Sequence, residues 1–394
     1  MNKVESQIDT KLLTYIRSQK ATSPPIKSRM TKLLLTGAAL SVFSAGMLRA
    51  DTNSNDAFLP SLPRIVSTVP MNGDVNPYGV AFVPQDFNHS GGPLQPGDIL
   101  VSNFNNSMNL QGTGTTIVRI PASGPVSTFF AAPSPTPGAP GYGLSTALAV
   151  LRRGFVVVGN VPSVDGNPAT VSPGSLLVID NQGHLVNTIS DPMINGPWDM
   201  AMQDRGDRAI AFISNVLAGT VVRLDLHVGT NGVTVTNKTV IASGYQHRPD
   251  PVAFEVGPTG LVYEAEQDVL YVASTEDNAV FAVEEAAETT HNGGTGRIIY
   301  SDTIHLHGPL GMAVAPNGHL LVANSDVINP DPNQPSEIVE FTARGEFIKQ
   351  LSVDPAQGGS FGLAVRVNHE TANFAAVDDN TSSLIVWTLP LPSH

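Results

Sequence analysis

A chain of 394 residues with 41% apolar but only 14% charged side chains, 36 glycines and 31 prolines can bury a large core, and suits short strands joined by turns better than long helices. The absence of cysteine excludes disulfides and thiol chemistry. A net charge of −13 opposes binding to nucleic acid or anionic membrane and tolerates cations or basic partners.

The first fifty residues differ from the rest. They hold eight of the 21 Lys/Arg and two of the 34 acids, so the remainder carries a formal charge of −19. A basic stretch, Lys27 to Lys32, precedes an apolar run, Leu33 to Leu48, and then Arg49-Ala50 and a polar segment, Asp51 to Asp56. That order is the order of an export leader, and the run is short for a membrane span. Residues 1–50 are therefore expected to be a signal peptide or N-terminal anchor, with Met30 beginning the tidier signal. The rest would be secreted or periplasmic, with no further membrane insertion. Residues 51–63 read as a linker and 391–394 as a tail.

From residue 64 to 390 one pattern recurs six times. A small-residue strand comes first, at Gly79-Val-Ala81, Ala147-Leu-Ala149, Asp199-Met-Ala201, Gly260-Leu-Val262, Gly311-Met-Ala313 and Gly362-Leu-Ala364. An alternating strand follows, ending at Asn103, Asn160, Asn215, Ser274, Asn324 and Asp378, which lie 50 to 59 positions apart. Third strands begin at Thr116, Ser175, Thr220, Ala279, Glu337 and Ser383. Weaker fourth strands read as Gly124–Phe130, His184–Ile189, Thr239–Ile241, Arg297–Tyr300 and Glu346–Leu351. Four strands repeated six times predict an all-β, six-bladed propeller whose inner strands converge on the axis, where only small residues fit. The sixth unit lacks a fourth strand, and Arg64-Ile-Val-Ser-Thr-Val69 stands unassigned upstream. The expectation is that this N-terminal strand completes the last blade and closes the ring. Pro84 to Pro96, the proline-rich Ala131 to Pro140, and Asp326 to Asn333 interrupt the pattern as longer loops.

The units Gly308-Pro-Leu-Gly-Met-Ala-Val-Ala-Pro-Asn-Gly-His-Leu-Leu-Val-Ala-Asn324 and Gly260 to Ser274 resemble NHL repeats and the related gluconolactonase-like propellers, over roughly residues 64–389. The resemblance implies the architecture, and the superfold hosts binders, lyases and lactonases alike. Lactonases of this kind hold a divalent cation with acidic or amide side chains just before the inner-strand glycine. Here those places carry Tyr78, Thr259, Leu310 and Phe361, with Trp198 before Asp199, and such side chains are poor ligands for a hard cation. The amidating-lyase branch uses three histidines on zinc; the candidates are His247 and His307, with His305 a spare and Asn76, Asn195 and Ser360 where other blades would supply a ligand. Glu276-Asp-Asn278 and Asp378-Asp-Asn380 read as turn chemistry, with calcium as the alternative. Arg119 and Arg223 read as decoration of exposed faces. Asn88, Asn105, Asn237 and Asn380 lie in glycosylation sequons, and no Gly-x-Ser-x-Gly elbow occurs.

Two functions remain open. In the first, the protein is a monomeric, exported scaffold binding a small organic ligand, peptide or protein, with Tyr78, Trp198, Leu310 and Phe361 lining or plugging the channel mouth. In the second, it is a metal-assisted hydrolase or lyase holding calcium or zinc through Asn76, Asp199, His247 and His307.

Overall fold

The computed structural model describes residues 57–59, 62–135 and 141–391. The leader, most of the linker, part of the proline-rich connector and the tail past Leu391 lie outside them. Strand β1 (Arg64–Ser67) precedes the first blade, which is β2 (Val75–Phe82), β3 (Ile99–Asn105), β4 (Thr116–Ile120) and β5 (Ser127–Ala131). Blade 2 is β6 (Leu144–Leu151), β7 (Phe155–Asn160), β8 (Ser175–Asp180) and β9 (Leu185–Ile189). Blade 3 is β10 (Pro197–Asp204), β11 (Arg208–Asn215), β12 (Thr220–Val228) and β13 (Val233–Ser243). A small hairpin, β14 (Arg248–Asp250) with β15 (Phe254–Val256), leads into blade 4: β16 (Pro258–Glu264), β17 (Val269–Ser274), β18 (Ala279–Glu284) and β19 (Arg297–Tyr300). Blade 5 is β20 (Pro309–Val314), β21 (Leu320–Asn324), β22 (Glu337–Phe341) and β23 (Phe347–Ser352). Blade 6 is β24 (Ser360–Val367), β25 (Thr371–Asp378) and β26 (Ser383–Pro390), completed by β1 in the order β1-β26-β25-β24. The chain is a six-bladed β-propeller. Among the described residues no helix is long and apolar enough to cross a membrane.

Closure takes the form expected from the unassigned strand. Arg64 pairs with Val386 and Ser67 with Ser383, antiparallel. Thr68 continues the seam: its N–H and hydroxyl donate to the Ser382 carbonyl at 2.9 and 2.8 Å, and its own carbonyl accepts from Asn103 Nδ2 of blade 1 at 3.1 Å. Part of the expected linker is not a linker. The N–H groups of Phe58 and Leu59 donate to the buried Glu340 carboxylate at 2.8 and 3.0 Å, and Leu59 packs into the core between blades 5 and 6.

Six apolar clusters of the core lie one between each neighbouring pair of blades around the ring. Inner strands approach so closely that a side chain added to Gly260 would overlap the carbonyl of Leu310, at Gly311 that of Phe361, and at Gly362 that of Tyr78 in blade 1. The small-residue signature is thus a packing requirement, met at the closing seam as well.

Three readings need correction. The fourth strand of blade 3 runs Val233–Ser243, far beyond Thr239–Ile241, because an outer strand can carry Thr236, Asn237 and Lys238 towards solvent. Arg223 is not surface decoration: it is 5% exposed and donates to the carbonyls of Ala287 and Thr289 at 2.7 and 2.8 Å. Arg119 is likewise committed, to buried Asp98 at 2.5 Å.

Candidate functional site

Every blade repeats one local device at the start of its inner strand. Pro77 pairs with Asn103, Leu144 with Asn160, Pro197 with Asn215, Pro258 with Ser274, Pro309 with Asn324 and Ser360 with Asp378; a register shift follows each time. Such bulges re-aim the next side chain. In blades 2 and 4 that residue is Ser145 or Thr259, whose hydroxyls donate to the Pro197 and Pro309 carbonyls of the following blade at 2.6 and 3.2 Å. In the other four blades it is Tyr78, Trp198, Leu310 and Phe361.

These four meet. Tyr78 stacks on Phe361 at 4.8 Å and on Phe104 at 4.7 Å, and meets Trp198 edge-on at 5.8 Å. Phe104 in turn contacts Phe254, delivered by the hairpin from a left-handed backbone with φ 70°. The result is a solid plug: Tyr78 is 2%, Trp198 1% and Leu310 5% exposed, with Phe361 partly open. Sequence reading found four of its members. Phe104 and Phe254 were missed, since nothing local in Ser102-Asn-Phe104 or Ala253-Phe254 points to the axis.

Beyond the plug a cavity of about 60 Å³ lies among the inner strands, lined by Val80, Thr146, Leu148, Met312 and Leu363 with one carboxylate, Asp199. Asp199 accepts the N–H of Met200 at 2.7 Å and of Leu261 in the next blade at 2.9 Å. Burial nevertheless pushes its carboxyl up to about 7. The folded state holds this proton more tightly than the unfolded chain does. Its contribution to stability is therefore complete below about pH 4 and is lost as pH rises to about 7, a change of about 4 kcal/mol at 1.36 kcal/mol per pH unit. Glu337 and Asp379, also raised to about 7, add the same sign. Melting temperature should fall from pH 5 to pH 8, and Asp199→Asn should flatten that slope while leaving the two N–H bonds an acceptor. An unchanged slope in the variant would remove Asp199 from this account.

The residues weighed as metal ligands occupy four different settings. Asn76 is buried at φ 58°, with its Oδ1 left without a hydrogen-bond partner. Asp199 lines the axial cavity, its oxygens accepting the Met200 and Leu261 N–H groups. His247 is exposed, its Nδ1 3.2 Å from the Tyr245 carbonyl. His307 is buried, with Nδ1 2.5 Å from the Asn329 carbonyl. His305 pairs instead with Asp302 at 2.6 Å and stacks on Phe347. Among the described residues no three His, Asp or Glu side chains stand close enough to share a metal ion. Asp199, His247 and His307 do not form such a group. Glu276-Asp-Asn278 is a turn, as expected: Asp277 accepts from Ser274 Oγ, and Asn278 sits at φ 47°.

The plug marks one face of the ring, where inner strands begin and second strands end. That face carries the long connections 106–115, 161–174, 244–257 and 325–336. Pro84 to Pro96 lies on the opposite face, between β2 and β3. Among the described Lys and Arg side chains Arg248 alone belongs to a connection on the plug face, whereas Asp165, Asp191, Asp302, Asp331, Asp354 and Asp379 all do.

No protein-family model matches the chain, and no curated protein matches it. Similar solved structures include the allergen Mala s 1 of Malassezia sympodialis, at 13% identity and TM-score 0.49, covering 85% of this chain and 99% of that one. A gluconolactonase from Xanthomonas campestris is 14% identical with TM-score 0.46, covering 84% and 90% of the two chains. The calcium-binding protein regucalcin of Agrobacterium tumefaciens is 14% identical with TM-score 0.46, covering 84% and 96%. Likeness of this degree leaves function to be argued from the site.

Proposed function

We propose that the protein is an exported binding propeller that takes a peptide or protein partner on its plug face. The observation that carries this reading is the plug itself. Tyr78, Phe104, Trp198, Phe254, Leu310 and Phe361 fill one end of the axis, and the loops long enough to grip a partner gather around them. Residues 1–50, with the composition of an export leader, support action outside the cytoplasm. The cavity beyond the plug, about 60 Å³, offers two polar side chains, Asp199 and Thr146, too few to orient a substrate and activate water.

The test is a paired screen on the full chain. Thermal stability is followed with peptides of varied charge, with calcium or zinc, and with chelator, while a lactone panel is assayed for hydrolysis. The reading predicts stabilisation by a peptide, melting that chelator does not move, and no turnover above buffer. Metal-dependent lactone hydrolysis would contradict it.

A further inference from the structure

Blades 1, 2 and 3 share a neutral pair where the second strand ends and the third begins, whereas blade 4 carries Ser274 and Ala279 there. Asn103 Nδ2 donates to Thr116 Oγ1 at 3.3 Å, Asn160 to Ser175 at 3.4 Å and Asn215 to Thr220 at 3.2 Å. Blade 5 breaks the pattern at the second member, where Glu337 replaces the hydroxyl opposite Asn324. Blade 6 breaks it at the first, where Asp378 replaces the amide. Both departures put an acid where the repeat needs none, and they fall in adjacent blades.

The connection 353–359 brings the two together. Asp326 Oδ2 accepts the N–H of Ser336 at 2.8 Å and of Gly358 at 2.9 Å. Gly359 donates to Ser336 Oγ at 2.7 Å, its carbonyl accepts from Asp379, and a side chain added to it would press on Asp378 Oδ1. His307 lies within electrostatic reach of both Asp326 and Glu337. Asp326, Asn329 and Ser336 all hold left-handed backbone in one short loop, a conformation that persists only where the surroundings impose it.

Glu337 Oε1, Asp326 Oδ1, Asp378 Oδ1 and His307 Nε2 are buried without a hydrogen-bond partner, and Glu337 and His307 are each 1% exposed. Asn329's carbonyl can only accept, so His307 Nδ1 carries a proton. Three of the four unpartnered atoms are carboxyl oxygens. Buried polar atoms left unpaired are costly, so a native structure that keeps these oxygens unpaired implies a partner that completes them. A guanidinium or ammonium group supplies three to five N–H donors and a positive charge spread over the width of a side-chain head. A compact metal ion suits the cluster less well, because no three of its His, Asp and Glu side chains converge.

We infer that this cluster between blades 5 and 6, with Glu337 and Asp378 as its determinants, binds the cationic side chain of a basic peptide or protein partner. The inference rests on the plug-face binding reading and specifies its partner. The surrounding acidic connections attract such a partner, and the cluster seats one arginine or lysine head group against charge-assisted bonds.

Titration calorimetry of the full chain at fixed ionic strength tests this, with N-acetylated Gly-Arg-Gly, Gly-Lys-Gly and Gly-Gly-Gly amides, free arginine amide and calcium chloride as probes. Gly-Arg-Gly or Gly-Lys-Gly should bind and Gly-Gly-Gly should not. A peptide tighter than arginine amide identifies a peptide site, and equal binding a site for free amines, which overturns the peptide assignment. Glu337→Gln and Asp378→Asn should each weaken the peptide by about tenfold or more, while Asp165→Asn, on the same face but outside the cluster, should change it less than about twofold. Both cluster variants relieve a buried charge, so an undiminished melting temperature shows that they fold. Equal losses in all three variants would mean diffuse attraction and overturn the site while sparing plug-face binding. Tighter binding of calcium than of peptide, lost in Glu337→Gln, would overturn the organic cation; no binding of any probe would overturn the inference outright. Lactone turnover, assayed separately, would count against the binding reading instead.

Discussion

Removing residues 57–67 should open the ring and lower stability by about 5 kcal/mol or more, the largest loss expected from any short deletion. Strand β26 would lose its partner from Val386 to Ser383 and expose an unpaired edge beside Leu384 and Ile385. Leu59, 3% exposed, would leave the core between blades 5 and 6, which alone amounts to about 2 kcal/mol. Glu340 would lose the Phe58 and Leu59 N–H groups, and a buried carboxylate deprived of donors costs further. Urea unfolding would show a lower midpoint with loss of cooperativity, and light scattering would show self-association through the bared edge. Truncation of residues 1–50 should change neither. A deletion variant that melts like the parent would mean that blade 6 stands without its fourth strand.

Trp198→Ala should cost about 3–5 kcal/mol, because the indole is 1% exposed and its cluster draws Tyr78 and Phe104 from blade 1, Leu310 from blade 5 and Phe361 from blade 6, which cannot all collapse into the gap. Trp198→Phe should cost much less. It keeps the edge-on contacts with Tyr78 and Phe104 and removes a buried indole N–H that has no acceptor. If alanine and phenylalanine were equally mild, the plug would be an incidental cluster and the axis open to ligands. Denaturant midpoints of the two variants decide between these outcomes.

The blades were legible because each one solves the same problem with the same residue types. Gly or Ala recurs where inner strands crowd, and Asn or Ser where second strands end. The closing strand was legible by subtraction, since Arg64 to Val69 had no blade and blade 6 lacked an edge. What escaped depended on neighbours remote in sequence. Arg223 reads as an exposed strand residue until the carbonyls of Ala287 and Thr289, in another blade, are brought to it. Phe254 reads as loop until its hairpin turns it into the plug. Glu337 and Asp378 were written in the sequence as departures from the repeat, but their significance needs the register that sets Glu337 beside Asn324 and Asp378 opposite Ser360. Tyr78, Trp198, Leu310 and Phe361 stand one residue past the bulge of their inner strands, and the structure packs them against one another.

Amide hydrogen exchange of the full chain with and without saturating Gly-Arg-Gly tests the central claim, that the plug face and not the axial cavity does the binding. Protection is predicted in the connections 325–336 and 353–359 and around Asp379, with the inner-strand amides lining the cavity at Val80, Leu148, Leu261 and Leu363 unchanged. Protection confined to those inner strands, or to the opposite face at 83–98, would contradict it.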